Sequence, residues 1–153
     1  MIKRAISIFL IIALSMALII VSSKYMTISE ESTEDQNNVN IAAKETLSVA
    51  GASFAGNYLT TDNDKDFYYN RAMCMIASSS QLFRFTTYAK DNNGLSVTLD
   101  SLYTLMENNV YKTVVIQKSA SIYTSLLQLS KNPEDKEAIA DLDKLIEDIR
   151  QNK

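Results

Sequence analysis

The chain has 153 residues, with 15 Lys and Arg against 18 Asp and Glu and a net charge of −3. Three glycines and one proline are too few for the many tight reversals of a β-sandwich or barrel, which leaves long helices. Histidine is absent and Cys74 is the only cysteine, which excludes His-based acid–base catalysis, Cys–His nucleophiles, most zinc sites and any internal disulfide.

The first element is apolar. Lys3 and Arg4 precede seventeen uncharged residues, Ala5 to Val21, interrupted only by Ser7 and Ser15. At about 1.5 Å per residue the run reaches roughly 25 Å, and Ser22 and Ser23 extend it toward the hydrocarbon thickness of a bilayer. It has no polar stripe of the kind a buried soluble helix keeps. Residues 1–23 therefore read as an uncleaved transmembrane anchor or as a signal peptide cleaved near Ser23, the length of the run favouring retention. Both readings place Lys3 and Arg4 in the cytoplasm and residues 24–153 outside it. Ala13 and Ala17 are a small-xxx-small pair that leaves a homo-oligomer open, although alanine is common in such helices for plainer reasons.

Beyond residue 26 there are twelve basic and eighteen acidic residues, a net −6. No basic stripe is left to meet phosphate, so neither nucleic acid nor an anionic lipid surface is expected to bind this part by charge. Residues 24–38 read as an acidic juxtamembrane tether and residues 39–153 as the folded domain.

From Val39 the apolar period is helical. Ile41, Leu47, Ala50, Phe54, Tyr58 and Leu59 fall on one side of a helix that the pattern carries to about Thr60. Within it, Gly51 and Gly56 lie five apart, as in a phosphate-binding loop. That loop needs a lysine and a hydroxyl after the second glycine, and here Asn57 and Tyr58 follow. The small residues Gly51, Ala52, Ala55 and Gly56 are better explained as a face against which another helix packs closely.

The turn that follows holds Asp62, Asp64 and Asp66, the first three acidic positions of an EF-hand loop and a weak calcium candidate. The sixth position is Phe67 instead of glycine and the twelfth is Met73 instead of glutamate, so an ordinary capping turn explains the cluster more simply. The second helix is expected over about 66–90, with apolar residues on more than one face and Cys74 as a buried thiol among Met73, Met75 and Ile76. Tyr58, Tyr69 and Phe83 are candidates for the lining of a ligand pocket between helices, although aromatics at helical spacing are more often plain core.

Gly94 with Asn92 and Asn93 marks the next break. A long third helix is expected from about Ser96 to Ser130, with bends near Asn108–Asn109 and Gln117–Lys118. Asn132 then reads as an N-cap with Pro133 at the first helical position, opening a fourth helix to about Arg150. Its seam is Ile139, Leu142, Ile146 and Ile149, widened by Ala138 and Leu145.

These elements make an all-α chain: a transmembrane or signal helix followed by an elongated antiparallel bundle of about four helices. The acids lie in turns and on hydrophilic faces, where solvated charges sit, so no catalytic residue and no cofactor is expected. The function expected is a membrane-anchored extracytoplasmic module that mediates protein–protein interaction or assembly, with another envelope protein as partner. The alternative is a ligand-binding or sensory bundle, released to the periplasm if the leader is cleaved. Twelve asparagines without one Asn-x-Ser/Thr acceptor favour the bacterial inner membrane over a glycosylating secretory route.

Overall fold

The computed structural model describes residues 32–152 except 57, 60–63 and 90–93. The anchor segment Ala5–Val21, the Ala13/Ala17 pair, the first part of the tether and Asp62 lie outside the described residues. Two compact units divide the chain, Met1–Asn37 and Asn38–Lys153. In the first, the described residues 32–37 are helical and exposed except for half-buried Gln36.

The described residues contain six α-helices, two short 3-10 turns and no strand, so the chain is all-α. None of these helices is long and apolar enough to cross a membrane. In the second unit α1 covers residues 38–52. It is followed by α2 (Lys65–Phe83), α3 (Gly94–Glu107), α4 (Lys112–Gln117), α5 (Ser119–Lys131) and α6 (Lys136–Gln151).

Helix α1 buries Ala43, Leu47 and Ala50, and Phe54 just past its end continues the 4-3-4 spacing of one stripe. It stops eight residues short of Thr60. The Ser53 hydroxyl takes the Val49 carbonyl at 3.1 Å, and the Ser53 amide is shared between Val49 and Ala50 at 3.2 Å each. The Phe54 amide then steps back to Gly51 at 2.8 Å, and Gly56 turns the chain away with φ +57°. The change to i→i−3 backbone bonding and the left-handed Gly56 thus end a helix that apolar periodicity alone would extend.

Helix α2 runs antiparallel to α3. The Tyr69 phenol donates to the Met106 carbonyl at 2.9 Å near one end, and the Ser80 hydroxyl donates to the Ser96 carbonyl at 3.0 Å near the other. The small Ala72, Ser79 and Ser80 lie on its buried side. Asn70, Arg71, Cys74, Ser78 and Gln81 form an exposed polar stripe. Cys74 is therefore exposed, not buried: Met73 and Met75 each lie about 100° around the helix and carry the apolar contact instead. The helix also ends at Phe83 and not at Lys90, because the Thr86 hydroxyl and amide both take the Phe83 carbonyl, at 2.7 and 3.3 Å.

The expected long third helix is three helices. Asn108 breaks it first by accepting the Val110 amide at 3.1 Å, which opens the 3-10 turn Asn109–Tyr111. Lys118 breaks it again with φ −91° and ψ 8° between α4 and α5. Its ammonium reaches Asp148 on α6 at 2.6 Å and so ties the bend to the last helix.

Helix α6 buries Ala138, Ile139, Leu142, Ile146 and Ile149 against α5 and α3. Its N-cap is Asp135, three positions past the expected cap Asn132: one carboxylate oxygen accepts the Glu137 amide at 3.1 Å and the Ala138 amide at 3.0 Å, while the other accepts Gln128 of α5 at 3.0 Å. Asn132 is instead the C-cap of α5 and Pro133 is buried in the connecting turn. A carboxylate satisfying two orphan amides is a stronger start signal than proline's fixed φ.

Candidate functional site

Where α1 leads into α2, three aromatic rings form a ladder, Tyr58 and Phe67 exposed and Tyr68 between them half-buried. Phe67 and Tyr68 stand in the first turn of α2, and the Tyr68 amide donates to the Asp64 carbonyl at 3.0 Å. Tyr58, beyond the end of α1, stacks on Tyr68 with centroids 4.4 Å apart and planes 17° from parallel. Phe67 meets Tyr68 edge-on at 5.3 Å and 81°. Offset stacks and T-shaped contacts satisfy the ring quadrupoles, so the ladder holds its shape at a wet surface. Phe67 is 62% exposed and Tyr58 46%, while Leu59, next to Tyr58 in the chain, is buried.

A polar clamp lies beneath. Lys112, at the start of α4, places its ammonium 2.8 Å from the Asp66 carboxylate and 5.1 Å from the centroid of the Tyr69 ring. The Lys112 hydrogen bond and charge hold the Asp66 carboxyl below its ordinary pKa. Tyr69 is buried, and loss of water pushes its phenol up to about 12. Asp135 and Asp148 are lowered by their own partners, the Ala138 amide first for the former and Lys118 first for the latter. All four groups therefore keep their usual charge state at neutral pH. No family model matches the chain, and neither a curated protein nor a solved structure matches it.

The residues singled out from the sequence are distributed as follows. Asp64 precedes α2 without a side-chain cap bond, and Asp66 faces Lys112. Among the described residues no three Cys, Asp or Glu side chains gather as a metal site. Of the two glycines among these small residues, Gly51 meets a helix closely: a methyl there would lie 3.4 Å from Leu126 Cβ and 3.7 Å from the Leu127 amide nitrogen of α5. Ala52 is exposed, Ala55 half-buried, and Gly56 has nothing within 4 Å of where its Cβ would be.

Tyr58, Tyr69 and Phe83 do not converge. Tyr58 is in the ladder, Tyr69 reaches Met106 of α3, and Phe83 lies fourteen residues along α2 from Tyr69, roughly 21 Å away at helical rise, where it meets Tyr88 at 6.4 Å. A shallow groove of about 400 Å³ runs between Ser101 of α3 and the last turns of α6, lined by Asp143, Lys144, Glu147, Asp148 and Arg150. Arg150 pairs with Glu147 and Asp148 with Lys118, so these charges are engaged within the bundle.

The ladder had a signal in the sequence. Three consecutive aromatics, Phe67-Tyr68-Tyr69, span about 200° of a helix, wider than one buried stripe, so at least one ring faces outward.

Proposed function

We propose that residues 39–153 are a non-catalytic interaction module, held on the outer side of a bacterial inner membrane by Ala5–Val21, and that the Tyr58–Tyr68–Phe67 end docks another envelope protein. The observation carrying this reading is the exposed ladder: large rings with few rotatable bonds, already fixed against one another, present apolar area at little ordering cost. The uncharged run behind Lys3 and Arg4 supports the anchor and its orientation.

A photo-crosslinking phenylalanine analogue at position 67, compared with one at position 78 on the outward polar stripe of α2, tests the docking. The expected result is an adduct with one discrete envelope protein from position 67 that is lost in Tyr68→Ala. Equal adducts from both positions, or none, overturn it. Cys74 tests the orientation, because it is the only thiol and is exposed. A membrane-impermeant maleimide should label it in intact spheroplasts, and labelling only after lysis refutes the outward orientation. Amino-terminal sequencing of the membrane fraction distinguishes a retained anchor from a mature chain starting at Lys24.

A further inference from the structure

Two exposed charges of opposite sign flank the aromatic ladder on helix α2. Asp64, Phe67, Tyr68 and Arg71 follow one another at i, i+3, i+4 and i+7, the spacing of a single helix face. Asp64 belongs to that face because its carbonyl accepts the Tyr68 amide at 3.0 Å, so its backbone already follows the helix, and its carboxylate caps none of the helix's own amides. Among the described residues neither Asp64 nor Arg71 has an ion-pair partner. The other charges of this first turn leave the face: Lys65 lies about 100° around the helix from Asp64, and Asp66 is taken by Lys112.

The stripe is symmetric about a point between Phe67 and Tyr68. It runs acid, ring, ring, base from its amino end and base, ring, ring, acid from the other, so a two-fold axis through that point turns it onto its own complement. Asp64 of one copy then meets Arg71 of the other on both sides of the axis, and Phe67 meets Tyr68 at the centre. Parallel alignment sets Asp64 against Asp64 and Arg71 against Arg71, so charge selects the antiparallel arrangement and fixes its register. Phe67 is 62% exposed and Tyr58 46%, which offers on the order of 200 Å² of ring surface per copy. That is the low end of interface size, the range of weak and reversible pairing, in which correctly opposed charges decide which partner is held.

We infer that the envelope protein docked by the Tyr58–Phe67 end is a second copy of this chain, its α2 antiparallel to the first, with Asp64 opposite Arg71 on either side of a centre made by Phe67 and Tyr68. This rests on the docking reading above and names the partner that reading leaves open.

The full chain with the photo-crosslinking phenylalanine analogue at position 67 is purified in mild detergent, so that it meets no other protein, and irradiated. The expected product is an adduct of two chain masses. Asp64→Arg alone and Arg71→Asp alone should each lose most of it, because the first sets guanidinium against guanidinium across the axis and the second carboxylate against carboxylate. Mixing D64R copies with R71D copies should restore the adduct, since both opposite-charge pairs return in the mixed dimer, a recovery that misfolded variants could not give. A two-chain adduct that D64R and R71D leave unchanged, or that the mixture fails to restore, overturns this inference. So does the absence of a two-chain adduct from purified protein when position 67 in whole cells gives an adduct of another mass, and that result leaves the docking reading standing. No adduct in either setting overturns both.

Discussion

Replacing Tyr69 by phenylalanine tests the end of the α2–α3 hairpin beneath the aromatic ladder. At neutral pH the variant loses the 2.9 Å hydrogen bond to the Met106 carbonyl and keeps the ring, a cost of about 1 kcal/mol. The same hydroxyl becomes a liability in alkali. The unfolded chain releases the phenolic proton near pH 10, while the folded protein holds it until about 12. Between those values the folded state binds more protons, so this group's contribution is complete below pH 10 and declines as pH rises. At pH 11 the decline is about 1.4 kcal/mol, close to the whole hydrogen bond. Urea unfolding followed by circular dichroism should therefore show wild type ahead of Tyr69→Phe by about 1 kcal/mol at pH 8, and the two level near pH 11. A gap that stays constant from pH 8 to 11 refutes the picture of a desolvated phenol at this end.

Gly51→Ala should stabilise by up to ~1 kcal/mol, since its methyl makes ordinary contact with Leu126 and the backbone there needs no positive φ, whereas Gly51→Leu should cost ~1–3 kcal/mol by forcing α1 off α5. Thermal unfolding checks both, and a harmless leucine would show that the crossing is loose. Ser79→Ala should raise stability by about 1 kcal/mol, because the Ser79 hydroxyl is fully buried with no partner among the described residues and its removal ends a desolvation cost. Asp135→Ala should lower the unfolding midpoint at neutral pH by uncapping α6. Because the native Asp135 pKa is depressed, its contribution exists above the ordinary carboxyl value and fades as pH falls below it, so the two midpoints should converge in acid.

The buried seam of the last helix was legible, since Ile139, Leu142, Ile146 and Ile149 are spaced by a period that only one face can satisfy and all four are buried; its start was not, because Asp135 and not Asn132 is the N-cap. The two bends in the expected third helix were also legible, at Asn108 and Lys118, because asparagine's own carbonyl competes for nearby amides. Helix ends were less so. Apolar spacing carried α1 to Thr60 and α2 to Lys90, yet the backbone tightens to i→i−3 bonds at Phe54 and Thr86, a change that periodicity does not register. Cys74 was misplaced for a related reason, since neighbours in sequence are a quarter turn apart in a helix and say little about burial. The ladder depended on Tyr58 meeting Tyr68, ten positions later across a connection whose path no local pattern specifies.

The Gly51–Leu126 crossing joins positions 75 residues apart, whereas α2 with α3 and α5 with α6 are neighbours in the sequence. Loop closure makes the nearby pairs cheap to assemble and the distant one slow. A chain emerging from its amino end therefore completes both hairpins before α1, synthesised first, has a groove to enter. The first helix to appear is the last to dock, and until then Leu47, Ala50 and Phe54 stay open to whatever chaperone attends the nascent chain.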